Sequence, residues 1–324
     1  MKGGNRMPKV VAFGETMIRF STIRKERLEQ SQYLEIRSAG AESNFCIGCS
    51  QMGIDALWVS KLTNNPLGRA IVNNLRKYGV STYIVWTKDY RVGTYYIEYG
   101  SFPRSTQVVY DREDSAIRHI DPQEIDWTIL DDADLVHLTG ITVALGKKAK
   151  NTLKAFIAEA KKRNILLSFD VNYRSKLWSP EIARAEISEI LNHSFDYLFI
   201  GLGDARTVFD VKGDNEEIAK WLKEQFNPEI VILTLGSKGA LAYDGESFFK
   251  ADTQPSDTVD PIGSGDSFDA AFISSILKGN NVEESLKIGN SLAALKRTIV
   301  GDEPIFSYQE VLNLANVDDK GIAR

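Results

Sequence analysis

The chain predicts an α/β fold: a doubly wound, mainly parallel sheet with helices on both faces, carrying a small β-sheet lid. Two observations support this. Short apolar runs alternate with segments of helical periodicity over most of the 324 residues, the pattern of buried parallel strands joined by crossover helices. Two stretches, 15–37 and 92–112, interrupt that alternation. The second is rich in β-branched and aromatic residues on either side of Gly100 and Pro103, as in a hairpin. With 15–37 it would form a lid outside the parallel core. The whole of 1–324 is expected to be one domain.

Val10–Phe13, ending at Gly14, reads as the first strand. A helix is expected over Phe45–Met52, stopped by Gly53, then a strand at Ala56–Ser60 and a helix at 69–78 closed by Gly79. Tyr83–Trp86 is the next strand, and 94–99 with 106–110 are the lid hairpin. From Asp134 the alternation is regular. Strands are expected at 134–139, 165–171, 196–200 and 229–235, with helices at 147–163, 180–192, 204–209 and 214–226. Ala240–Tyr243 and Ser247–Lys250, joined across Asp244-Gly245, read as a terminal hairpin. Helices from about Asp266 and over 283–297 close the expected fold.

Composition excludes several function classes. With 43% hydrophobic and 26% charged residues and a net charge of −5, the chain lacks the basic surface that sequence-independent nucleic-acid binding requires. The patches Arg24-Lys25 and Lys161-Lys162-Arg163 read as solvated faces. No apolar run reaches the roughly 20 residues of a membrane span, and no secretory signal is evident, so a cytoplasmic location is expected. Cys46 and Cys49 share one helix face three residues apart, and His119, His137 and His193 are scattered. A zinc site needs about four ligands, so the cysteines read as packed free thiols.

The chemistry centres on Thr258–Phe272. Gly263 and Gly265 flank Ser264, and Asp266 opens an apolar-periodic segment. Backbone N–H groups of such a turn and the positive end of the helix that follows would form an anion hole. Asp266 beside it would suit a general base on a hydroxyl. Read alone, the stretch serves equally well as a glycine turn with an acidic first-turn residue. Gly236-Ser237-Lys238-Gly239 lacks P-loop spacing; it is either a turn against a nucleotide or a plain strand-to-hairpin turn. Arg174, past the strand ending Asp170-Val171-Asn172, suits bidentate recognition of an anion, or a surface ion pair. Asn172, Arg174, Gly236 and Asp266 all lie past strands or open a helix, where ligands of doubly wound sheets bind.

Taken together, the blocks Gly40-Ala41-Glu42-Ser43-Asn44, Lys61–Gly68, Val109-Tyr110-Asp111-Arg112, Asn172–Trp178, Asp260–Phe268 and Thr298–Asp302 resemble the ribokinase-like (phosphofructokinase-B) sugar kinases. Within them the likeness is to the branch acting on 2-keto-3-deoxygluconate. The resemblance covers nearly the whole chain. It implies ATP-dependent, Mg²⁺-requiring phosphorylation of a sugar acid at its 6-hydroxyl, with Asp266 as general base and the Gly263-Ser264-Gly265 backbone as anion hole. Gly40, Tyr95, Tyr110, Arg112, Arg174 and Asp302 match sugar-side positions. Asn172, Thr234, Gly236, Lys238, Gly239 and Asn290 match the nucleotide side. The loop reads Asp260-Pro261-Ile262-Gly263 where the family carries threonines, and Gly201-Leu202-Gly203-Asp204 stands where the family has Asn-x-x-Glu. No direct protein ligand to the metal is therefore assigned. The alternatives are a fructokinase, a 5-keto-2-deoxygluconate kinase, or a sugar-binding regulator without catalysis. Unpaired lid edges imply a homo-oligomer through the lid.

Overall fold

The computed structural model describes residues 6–23 and 25–315; Arg24, one half of the first basic patch, lies outside them. Thirteen strands form two sheets. The large sheet contains β1 (Lys9–Phe13), β4 (Asp55–Thr63), β5 (Ser81–Thr87), β8 (Leu135–Thr139), β9 (Leu166–Asp170), β10 (Tyr197–Gly201), β11 (Ile230–Thr234), β12 (Ala240–Tyr243) and β13 (Phe248–Ala251). The small sheet contains β2 (Met17–Thr22), β3 (Leu34–Ala39), β6 (Thr94–Glu98) and β7 (Gln107–Asp111). The large sheet runs β13-β12-β11-β10-β9-β8-β1-β4-β5, with only the β12–β13 hairpin added antiparallel. The chain thus winds from β1 outward to β4 and β5 on one side, and from β8 onward on the other. The topological switch point falls between β1 and β8, where a crevice opens at the carboxyl ends of the strands.

The strands are apolar on both sides because both sides are covered. In β1, Val11 and Phe13 join the core on one face, while Val10 and Ala12 join the core on the other. Alternate residues of a strand point to opposite faces, so a continuous apolar run is what a doubly covered sheet requires. One face packs against the helices Lys147–Lys162, Pro180–Leu191 and Asn215–Phe226, through Leu153, Phe156, Ile187 and Ile218. The other packs against Ala41–Gln51, Ser264–Leu277 and Val282–Arg297, through Phe45, Phe272 and Leu286. Cys46 and Cys49 are fully buried free thiols in this second core, and burial raises both, Cys49 to about 12. His137 is buried against Phe45 and pushed down to about 3 by burial, hence neutral.

The lid sheet has order β3-β2-β6-β7. Its inner face carries Met17, Ala39, Tyr95, Val108 and Tyr110. Its outer face carries the cross-strand row Ile36–Phe20–Tyr96–Val109, with Phe20 stacked on Tyr96 at 5.1 Å.

Several boundaries differ from the sequence reading. β3 runs to Ala39, two residues beyond the expected lid segment. The helix after β4 begins at Pro66, because Asn65 caps it by accepting from the Gly68 N–H at 3.0 Å and proline suits the first helical turn. A short helix, Gly140–Ala144, follows β8 with Thr139 as its cap. The chain does not close with the helix at 282–297: Tyr308–Ala315 adds another, anchored by Val311 against Met52 and Leu292.

Phe156 is the test of the larger core. It is fully buried, stacked on Phe13 at 4.8 Å and edge-on to Trp127 at 4.9 Å. Phe156→Ala should destabilise the fold by about 3–5 kcal/mol, read as a lower midpoint in chemical denaturation.

Candidate active site

A cavity of about 410 Å³ opens at the carboxyl ends of β9, β10 and β11, roofed by the lid sheet. Gly40, Tyr95, Tyr110, Arg112, Arg174, Asp302, Asn172, Thr234, Gly263, Gly265 and Asp266 all line it. Residues separated by more than two hundred positions therefore meet in one place.

The helix Ser264–Leu277 starts at Gly263, whose φ of +84° lies in the left-handed region that favours glycine. A Cβ there would also come within 2.2 Å of the Asp302 carbonyl oxygen. This position can hold only glycine without a shift of the Asp302 backbone. The first N–H groups of a helix have no intrahelical partner, and here they open beside Asp266. Ser264 is turned differently: its N–H and its hydroxyl both donate back to the Pro261 carbonyl, at 3.4 and 2.9 Å. Asp266 is buried and accepts from Asn44 Nδ2 at 2.8 Å and from Asn172 Nδ2 at 3.5 Å. Burial raises its carboxyl above the usual range, opposed by the Asn44 amide and the Arg174 guanidinium.

Asn172 belongs to the same cluster. Its φ of +41° turns it back over the end of β9, where its amide donates to Asp170 Oδ2 at 2.7 Å as well as to Asp266. The structure therefore brings Asn172 to Asp266. Asp170, Asp204 and Asp269 also line the cavity. Burial, then the charges of Asp266 and Asp204, push Asp170 up to about 7. Asp269 is raised well above its usual range by burial and by Asp170. Asp204 is raised by burial, although its carboxylate accepts the Tyr173 N–H at 3.1 Å. Behind Asp266, Glu42 accepts from Thr139 and Thr142 hydroxyls at 2.7 and 2.8 Å, and burial lifts it to about 7.

On the lid side, Tyr95 and Tyr110 are cross-strand partners with ring centroids 5.7 Å apart. Tyr95 donates its hydroxyl to Asp302 Oδ2 at 3.0 Å. Arg112 lies beside the Tyr110 ring and pairs with Glu15, which follows β1 directly. Gly40 is required by close approach, since a Cβ there would come 2.1 Å from the Glu15 carbonyl oxygen. Arg174 is exposed at the cavity mouth and forms no ion pair among the described residues. Three cavity-lining polar atoms are buried without a partner: Glu15 Oε1, Asn44 Oδ1 and Arg112 Nε. Buried polar groups are normally paired, so these mark where a hydroxyl-rich ligand would bond.

The remaining nucleotide-side positions gather elsewhere. Lys238 lines a second cavity of about 290 Å³, together with Leu235, Ala251 and Asp252. Gly236 and Gly239 form the turn at its edge, with the Leu235 N–H bonded to the Gly239 carbonyl at 2.8 Å. Asn290 does not face the first cavity; its Nδ2 donates to the carbonyls of Ala251 and Asp252 at 2.9 and 3.2 Å and so shapes the second. Among the described residues, no group of three or more His, Cys, Asp or Glu is arranged to hold a metal ion.

Sequence reasoning missed Glu15, Asn44, Asp170 and Asp269 as site residues. Glu15 and Asp170 were within reach of the rule that ligands bind past strand carboxyl ends. Asn44 lies one helical turn beyond Gly40, on the face of the helix that looks toward Asp266. Asp269 carried no separate signal: it lies one turn after Asp266 and reads as a core-helix polar residue.

The comparisons with known proteins agree with this geometry. The profile of the pfkB family carbohydrate kinases matches residues 7–305. A 2-dehydro-3-deoxygalactonokinase of Haloferax volcanii is 42% identical over 98% of this chain and 99% of its own. A 2-dehydro-3-deoxygluconokinase of Thermoproteus tenax is 29% identical over 91% of this chain and 90% of its own. Among solved structures, the 2-dehydro-3-deoxygluconokinase of Thermotoga maritima superposes with a TM-score of 0.91 at 33% identity, covering 96% of this chain and 99% of that one. A putative ribokinase II of E. coli in complex with ATP and Mg²⁺ shares the fold, with a TM-score of 0.86 at 21% identity over 95% of this chain and 99% of that one. The sheet order, the lid and these matches together establish that the chain belongs to the pfkB family of carbohydrate kinases and is a sugar kinase.

Proposed function

We propose that the protein phosphorylates 2-keto-3-deoxygluconate at its 6-hydroxyl, with ATP as donor, in one catalytic unit made of the large sheet and its lid. The observation that carries this reading is the lining of the first cavity. It holds Arg112 and Arg174, two tyrosines, and buried polar atoms on Glu15, Asn44 and Arg112 that lack partners. A carboxylate with several hydroxyls matches that set, because arginine binds carboxylates bidentately and the acceptors take hydroxyl donors.

In the mechanism, the lid tyrosines and Arg112 hold the sugar with its 6-hydroxyl at Asp266. Asp266 accepts the proton as the hydroxyl oxygen attacks the γ-phosphorus, and ADP departs. The charge on the transferring phosphoryl group falls on the N–H groups at the start of the helix Ser264–Leu277, mainly those of Gly263 and Gly265. Asn44 and Asn172 orient Asp266. The adenine end lies over the second cavity, between the Gly236–Gly239 turn and the segment that Asn290 holds. Magnesium, when bound, neutralises phosphate charge. Asp170 and Asp204 would be the residues to hold it, since both are carboxyls raised by burial and would gain from a divalent cation.

A second substrate reading is favoured by the 42% identical relative named for the galactonate compound: the 4-epimer, 2-keto-3-deoxygalactonate, taken by the same site. Coupled ATP-consumption assays with both epimers, 5-keto-2-deoxygluconate, fructose and ribose decide. The expected result is the highest kcat/KM on a 2-keto-3-deoxy acid. Preference for a neutral sugar, or saturable binding without turnover, would overturn the reading.

Asp266→Asn should lower kcat by roughly 10²–10⁴-fold with little change in sugar affinity. Because burial raises Asp266, and the base works deprotonated, activity should fall as pH drops through a range above that of an ordinary carboxylate; a pH–rate profile flat to pH 4 would contradict this. Arg174→Gln should cost roughly 10–100-fold in kcat/KM on the acid sugar, the range of a charged hydrogen bond, and little on a neutral one.

The lid's outer row leaves Ile36 and Val109 at 65% and 52% exposed beside the Phe20–Tyr96 stack. We infer that a second copy of the chain covers it, since an apolar sheet face with free edges invites pairing. Light scattering after gel filtration should show a homo-oligomer that Ile36→Lys shifts toward monomer. A monomeric wild-type protein would end this inference.

A further inference from the structure

Arg19 does not itself line the cavity; its side chain is fully buried on the inner face of the lid strand β2. Its Nη2 donates to Asp260 Oδ2 at 2.7 Å, and its Nη1 pairs with Asp302. Nε is held by Ser21 Oγ at 2.8 Å, and Nη2 also meets Tyr99, whose hydroxyl donates to Asp260 Oδ2 at 2.7 Å. Each acid has further partners. Asp260 accepts the N–H groups of Ile262 at 3.1 Å and Gly301 at 3.2 Å. Asp302 accepts from Tyr95 at 3.0 Å, and its carbonyl lies directly against Gly263. Lys296 donates to the Asp260 backbone carbonyl at 2.9 Å, beside the same loop.

One guanidinium therefore joins three parts: the lid strand, the start of the loop that carries Gly263 and Gly265, and the Gly301–Asp302 turn that backs Gly263. We propose that Arg19 is a positioning residue for phosphoryl transfer, a fixed clamp that sets the anion-hole loop against the seated lid. Burying such a charge set adds little net stability compared with an apolar core of the same shape. What the ionic fork supplies is fixed geometry: its planar donors bind both acids in one orientation. The inference rests on the roles given above to Asp266 and the Gly263–Gly265 backbone.

The test compares Arg19→Lys, Arg19→Gln and Arg19→Ala with wild type, on whichever sugar the wild type phosphorylates. Steady-state kinetics, thermal unfolding and calorimetric Kd values for sugar and ATP are measured together. The expected result is a fall in kcat of roughly 10²-fold for the Gln and Ala variants, comparable with loss of an oxyanion donor. Both Kd values should stay near wild type, the Lys variant should be intermediate, and low guanidinium chloride should restore part of kcat in the Ala variant alone. Wild-type kcat in all three variants would overturn the proposal. So would a loss that follows weakened binding and lower stability, untouched by lysine or guanidinium. If the Ala and Gln variants do not fold, Arg19→Lys decides: a wild-type kcat there removes the need for the fork. A wild type that prefers a neutral sugar would revise the substrate reading while leaving this comparison intact on that sugar.

Discussion

A parallel sheet covered by helices on both faces has no room for an unpaired charge along its strands, because burying one costs more than the fold can spare. Polar groups collect where the strands end. In this protein that constraint gathers Glu15 past β1, Thr139 at the end of β8, Asp170 at the end of β9 and Thr234 at the end of β11 on one rim. The helix Ser264–Leu277 delivers Asp266 and Asp269 to the same rim from the second core. The crowding of carboxylates there has a direct electrical consequence. Burial holds Asp170, Asp266 and Asp269 above their usual range, and repulsion from neighbouring acids adds to it at Asp170 and Asp269. Arg174 at the mouth supplies the nearest opposing charge.

The lid solves a different problem. Alternation along β2, β3, β6 and β7 gives it an inner face of Tyr95, Tyr110 and Arg19 and an outer face of Phe20, Ile36, Tyr96 and Val109. The inner face meets the cavity and the loops beneath it through hydrogen bonds and one buried ionic clamp. The outer face is an apolar stripe. The pleat thus keeps a polar, cavity-facing side and an apolar side apart on one four-stranded sheet.

Most of the fold was legible in the chain. The apolar runs at Val10–Phe13, Leu135–Leu138 and Val231–Leu233 became buried strands, since full burial leaves no polar face to disguise them. The hairpin at 94–111 followed from its aromatic and β-branched composition. The helix Tyr308–Ala315 escaped notice because its packing against Met52 and Leu292 is a long-range contact that local periodicity does not announce. In the cavity, Asp266 and its glycines were legible as a glycine turn opening a helix, and the structure brings them to the cavity wall. Asn172, read toward the nucleotide, has a left-handed backbone that turns it onto Asp170 and Asp266. That turn depends on one φ angle, and no residue pattern encodes it uniquely. Asn290, read toward the nucleotide, supports the 251–252 backbone beside the second cavity.

The sequence by itself determined the alternation of strands and helices, the glycine turn before Asp266 and the family. These are written in local spacing, where backbone freedom, periodicity and burial act within a few residues of one another. The tertiary structure alone decided which side chains meet. Arg19 reaches Asp260 and Asp302 across more than 240 residues, Asn44 reaches Asp266 across 222, and Arg112 reaches Glu15 across 97. Such pairings depend on strand order and on which face of the lid turns inward. Both are set by packing the whole chain at once.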